Sequence, residues 1–373
     1  MAAAGAVKAG AMAVLALGLL ALGGCAGATP PIDSRALVLA VAADPAGPGQ
    51  IKYTLAIPSP QSLSGSSGGG NEFYYPSTAA ASFDGAISRL EDQTSRDVYL
   101  GQMHLLMLSL QLPPLLRDRL IAEEQRIGEV DHTEWLALAD GPAARVMQPP
   151  PLQERLPAFY FSTHFSCRTC QSADYGVPAW RAEADLASAG SVAVLPVARL
   201  DGANIAIDRV AALQRGKPPF IFNPEETLAV MALRGRLSKG SLEVSTPLGP
   251  AVLRSLAATA RRSAAVGADG RLHVRVRVSY KGLLAQRPER VQHMTAAAAR
   301  TVEGASAQAL TRLLTAAIAR AQAAGVDAFY FGQALYLQDP ERYRALGDFS
   351  RALQHAVVAV EVKVSLPEQG ITA

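Results

Sequence analysis

Leu272-His273-Val274-Arg275-Val276-Arg277-Val278-Ser279-Tyr280 alternates without a break. Leu272, Val274, Val276, Val278 and Tyr280 share one face, and His273, Arg275, Arg277 and Ser279 share the other. Such period-two alternation is the pattern of a β-strand with one buried and one wet face. Near the C-terminus it returns, with Ala356, Val358, Val360, Val362 and Val364 set against Val357, Ala359, Glu361 and Lys363. Glu361 opposite an arginine of the first strand would make the two strands sheet neighbours. Between them, residues 291–324 follow a helical period. Val302, Ser306, Ala309, Leu310, Leu313, Leu314, Ala317, Ile318 and Ala321 form one apolar stripe, and Gly325 stands where a C-cap glycine belongs. Strands on both sides of the helix predict that this stripe packs on their sheet.

The first half mixes the two periods. Arg35–Val41 is an apolar β-type segment, and Ile51, Tyr53, Leu55 and Ile57 alternate with polar or small residues. Asp44-Pro45-Ala46-Gly47-Pro48-Gly49 is dense in turn formers, so a hairpin is expected. Ser62–Gly70 reads as a flexible loop and lacks any phosphate-binding pattern. Phe83, Ile87 and Leu90 behind Ser82 predict a capped helix. A strand at Met103–Leu110, a helix from Pro113-Pro114 to Gln125, a strand at Thr133–Ala139 and a short helix after Gly141-Pro142 follow. From Met147 to Gly190 the pattern dissolves among prolines. Short strands resume at Val192–Val197, Ile205–Ile207 and Val210–Leu213. The expectation is a mixed α/β (α+β) chain of several domains, each a small, mostly antiparallel sheet packed with helices. An N-terminal domain over residues 25–148 and a C-terminal domain over 191–373 would flank a Pro-rich connector, 149–190. The connector reads equally as a domain boundary or as an ordered loop packed on one domain.

At the start, Lys8, an apolar run Ala11–Leu22 and Leu22-Gly23-Gly24-Cys25 have the layout of a secretory signal over residues 1–24. The run is shorter than the roughly 20 residues a transmembrane helix needs. The segment resembles a bacterial lipobox, which would place diacylglycerol on Cys25, make it the mature N-terminus and hold an extracytoplasmic domain on a membrane.

The 373 residues give room for two or three domains. A net charge of +3 is too small to argue for nucleic acid binding. Cys167 and Cys170 form a lone Cys-Arg-Thr-Cys. It reads as a local disulfide or two free thiols. A redox pair should open a helix in a βαβ unit, and a zinc site needs about four ligands, of which only His164 is near. No hydrolase, metalloprotease or P-loop motif is present. The six histidines (His104, His132, His164, His273, His293, His355) are scattered, and Glu225-Glu226 after Pro224 reads as a solvated helix N-terminus. No catalytic residue, cofactor or metal is expected.

Several segments, in order, are similar to one family. They are the lipobox, the 35–58 hairpin with Tyr53-Thr54-Leu55-Ala56-Ile57-Pro58, Phe83–Leu90, Ser95–His104, and Pro224-Glu225-Glu226-Thr227. The most specific is Asp327-Ala328-Phe329-Tyr330-Phe331-Gly332 followed by Pro340, which resembles Asp-x-Phe-Gly-Phe-Gly and a Pro-x-x-Trp element. Together they resemble the Ger(x)C family, the lipoprotein C subunits of spore nutrient germination receptors. Tyr330 replaces the motif's first glycine, Tyr343 stands near the expected Trp, Ala206–Leu213 lacks the usual Gly-x-Ala-x-Phe, and the Cys167/Cys170 pair is foreign to the pattern. The resemblance implies a non-enzymatic receptor subunit on the outer face of the spore's inner membrane. It also implies assembly with two integral-membrane subunits, A and B type, to which the nutrient site is mainly attributed. Gly332 would then support the fold. The alternative is an extracytoplasmic solute-binding lipoprotein, which would need paired lobes and a hinge.

Overall fold

The computed structural model describes residues 31–59, 73–148, 157–167 and 176–367. Cys25, the Ser62–Gly70 loop and Cys170 lie outside them. β1 (Arg35–Leu37) leads into β2 (Ala40–Gly47) and β3 (Gln50–Pro58), the hairpin that the turn formers predict. β4 (Phe73–Tyr74) and β5 (Ser77–Ala80) both pair with β3. In α1 (Phe83–Glu91) the Ser82 Oγ accepts from Gly85 N at 3.2 Å, which satisfies one of the orphan donors of the first turn. β6 (Asp97–Tyr99), β7 (Leu105–Ser109), α2 (Pro114–Glu124), β8 (Trp135–Ala139) and α3 (Ala143–Val146) follow. Two helices occupy the Pro-rich connector, α4 (Pro157–Ser166) and α5 (Ala179–Ala187). After them come β9 (Ala193–Asp201), β10 (Asn204–Leu213), β11 (Phe220–Ile221) and α6 (Pro224–Leu233). The chain ends with β12 (Gly240–Thr246), β13 (Gly249–Val266), β14 (Leu272–Gln286), α7 (Ala296–Ala323), α8 (Phe331–Gln338), α9 (Pro340–Ala345), α10 (Phe349–Gln354) and β15 (Val357–Ser365).

These elements make an α+β fold. One sheet of nine strands runs β11-β10-β9-β8-β7-β2-β3-β4, with β5 also on β3. Its centre, β2-β7-β8-β9, is parallel, and its margins are antiparallel. Antiparallel pairings predominate, as expected, but the sheet is larger than the small ones expected and its parallel centre was not foreseen. Parallel strands covered on both faces read as continuous apolar runs and carry no alternation from which direction could be inferred. In β7, Leu106 and Leu108 enter one core while Leu105 and Met107 enter another on the opposite face.

The second sheet is β12-β13-β14-β15. β14 buries Leu272, Val274, Val276, Val278 and Tyr280 and exposes the residues between them, as the alternation predicts. β15 lies parallel to β14 with Arg277 opposite Glu361, and Arg277 Nε donates to Glu361 Oε2 at 2.9 Å. α7 is the crossover between them and buries Val302, Ser306, Leu310, Leu314, Ala317, Ile318 and Ala321. Val326 N donates to Ala321 O and Gly325 N to Gln322 O, both at 2.9 Å, with Gly325 at φ 66°. This is the paired-bond C-cap that needs a left-handed residue.

The two sheets are not separate bodies. β9 and β10 turn Ala193, Leu195, Val197, Ala211 and Leu213 into the core of the first sheet. Their other face sends Val194, Val210 and Ala212 into the core under the second sheet. Strands of the expected C-terminal domain thus complete the N-terminal sheet, and sheets of unequal size and strand direction share one hairpin.

Candidate functional site

The Asp-x-Phe-x-Phe-Gly segment closes the seam between the two cores. Asp327 is buried, and its Oδ1 accepts from Phe329 N and Phe331 N at 3.1 Å while Oδ2 accepts from Gly332 N at 2.6 Å. The first free N–H groups of α8 therefore end on one carboxylate, a favourable place for negative charge. Burial pushes the Asp327 carboxyl above the usual range, and those donors, with Arg234, oppose the shift.

Tyr330 precedes α8 at φ 63° and ψ 32°, the left-handed region. A family glycine would adopt that geometry at no steric cost, which explains why the motif has one there. Tyrosine is strained by about 1–2 kcal/mol in that region, but its side chain is held on several sides. The Arg234 guanidinium stacks 3.8 Å from the ring centroid and donates from Nη2 to the Tyr330 hydroxyl. The hydroxyl also donates to Asp185 Oδ2 at 3.1 Å, and Arg234 Nη2 reaches the same oxygen at 2.7 Å. Arg234 Nη1 donates to Ala328 O at 3.1 Å. Desolvation lowers the pKa of the buried Arg234 guanidinium, and Tyr330 and Asp185 counter it.

Gly332 explains itself by contact. A Cβ there would stand 2.9 Å from Gly190 Cα, and one on Gly190 would stand 2.4 Å from the Gly332 carbonyl carbon. The two backbones touch, and Gly190 also has φ 65°. Tyr343, near the position expected for Trp, stacks on Phe349 with ring centroids 5.5 Å apart. The resulting clasp joins α5, the end of α6 and the 327–332 turn. Its polar groups are directed at one another, so the arrangement holds two layers in register.

Glu226 departs from its sequence reading. Glu225 is exposed, but Glu226 is buried. Its carboxylate accepts from Asn223 N at 2.9 Å in a capping box and from Arg320 Nε of α7 at 2.6 Å. The solvated N-terminus is thus an anchor between α6 and α7, because the α7 stripe brings Arg320 across it. Of the cysteines, Cys167 follows α4, and its carbonyl accepts from Lys239 Nζ at 2.6 Å. Arg234 and Asp185 gave no signal in the sequence, since neither belongs to a motif and they are 49 positions apart.

A family model described as the spore germination protein N-terminal domain matches residues 29–200. A second, described as spore germination B3/GerAC like, C-terminal, matches residues 209–370. No curated protein sequence matches significantly. The fold is similar to the crystal structure of the GerBC protein, with a TM-score of 0.59 at 15% identity over 87% of this chain and 96% of that one. With both germination models in order along its length, the chain belongs to the Ger(x)C family of spore germination proteins.

Proposed function

We propose that this germinant receptor C subunit is anchored by lipid on Cys25 at the outer face of the spore's inner membrane and is needed for the nutrient response. The observation that carries the reading is the order of parts: a lipobox-like Leu22-Gly23-Gly24-Cys25, then both germination domains. Among the described residues no helix is long and apolar enough to cross a membrane. In this reading two acyl chains on Cys25 supply the attachment. The partners are two integral-membrane subunits, A and B type, and no ligand-binding residue is assigned to this chain. Cys167 and Cys170 would close a local disulfide.

Cys25→Ala tests the reading. The variant is expected to leave the membrane fraction and to abolish nutrient-triggered release of dipicolinic acid, while germination by non-nutrient triggers persists. Unchanged membrane fractionation, or an unchanged nutrient response from a released protein, would overturn it.

A further inference from the structure

α2 ends at Glu124, and the chain returns to β8 through residues 125–134. That return brings three ligand-type side chains together. Glu124, His132 and Glu134 each offer an atom within 4.8 Å of the other two. Glu124 Oε1 lies 3.1 Å from His132 Nδ1, and Glu124 Oε2 accepts from Gln125 Nε2 at 2.8 Å.

Glu134 is the unusual member. It is 2% exposed, and neither carboxyl oxygen has a donor from another residue. A carboxylate taken out of water without donor or cation is strongly disfavoured. Two occupants could relieve it: a proton shared with Glu124, or a cation.

The third group favours the cation. A shared proton needs only the two carboxyls, yet an imidazole nitrogen completes the cluster. Glu124 and His132 are hydrogen-bonded to each other as they stand, and that spacing is also near the roughly 3.3 Å between ligand atoms held about 2.0 Å from a tetrahedral ion. The backbone is held in place from α5, where Trp180 N donates to His132 O at 3.2 Å and Ala179 N to Glu134 O at 2.9 Å. Half-buried His132 gives a way in from solvent.

We propose that Glu124, His132 and Glu134 form a site for one divalent transition-metal ion of the Zn²⁺ or Mn²⁺ class, with a position left open for water. Ca²⁺ and Mg²⁺ take oxygen ligands, so the imidazole selects against them. Zn²⁺ should bind more tightly than Mn²⁺ at such a set. The ion ties the end of α2 to the entry of β8.

The test is calorimetric titration of the full chain in detergent, freed of metal by a chelator, with Zn²⁺ alone, alongside its melting temperature. The expected result is one strongly bound Zn²⁺ per chain and a raised melting temperature. Glu134→Gln keeps the shape and removes the ligand charge. His132→Asn suits the left-handed backbone there, φ 56°. Each should weaken binding more than about tenfold, the loss that even outer-shell partners give. No rise in melting temperature, or an affinity unchanged in either variant, overturns the site and leaves a shared proton as the occupant.

Discussion

The nine-stranded sheet and the four-stranded sheet solve one problem in opposite ways. In the first, β7 and β8 place apolar side chains on both faces, and helices or loops cover both. In the second, β14 buries one face against α7 and leaves Arg275, Arg277 and Lys281 in water. The first sheet is therefore intolerant of change on either side. The second has a whole face whose composition stability does not dictate, and such a face is free to be shaped by what it meets.

Leu108→Ala probes the difference where it should be largest. Leu108 is fully buried in the parallel centre, so a loss of about 2–5 kcal/mol is expected in denaturant unfolding. Arg275→Ala on the wet face should stay within about 0.5 kcal/mol. Equal losses would abolish the distinction. The seam comes next. Gly190→Ala should cost roughly 1–3 kcal/mol, because it strains a left-handed residue and pushes on the Gly332 backbone. If the shared hairpin makes the two cores one unit, the variant still unfolds in a single step, and two separated transitions would show that the sheets melt independently. Tyr330→Gly sharpens the same point. It relieves about 1–2 kcal/mol of left-handed strain but discards a buried aromatic side chain worth about 3–5 kcal/mol, so the denaturation midpoint should fall. A rise would mean that the Arg234 and Asp185 contacts contribute little. The smallest effect belongs to Arg277 and Glu361, whose side chains are mostly exposed. A double-mutant cycle should find a coupling of about 0.2–1 kcal/mol that fades in salt.

The second sheet was the more legible for the same physical reason. One wet face imposes alternation, and that alternation gave β14, β15 and their adjacency through Glu361 and an arginine, which the structure identifies as Arg277, while the helical period gave the α7 stripe with its Gly325 cap. Buried parallel strands impose none, so the β2-β7-β8-β9 order was not visible. Nor was the membership of β9 and β10 in the first sheet, since pairing at long range is fixed by packing on both faces of the hairpin. Prolines hid α4 and α5, which are short helices held by tertiary contacts. At the clasp, the Asp327–Gly332 motif was visible, but Arg234 and Asp185 come from distant elements. Glu124, His132 and Glu134 escaped because a turn, rather than any periodic spacing, brings them together.

The last strand has a kinetic consequence. Arg277 and its partner Glu361 are 84 positions apart, and the pairing must wait until α7 to α10 have been made. Closing so long a loop before its contacts form is slow. Until then β14 presents an open edge of unpaired backbone groups, the kind of template that joins one chain to another. Arg275, Arg277 and Lys281, exposed along that strand, carry like charge, and like charges brought side by side disfavour the pairing of two such edges.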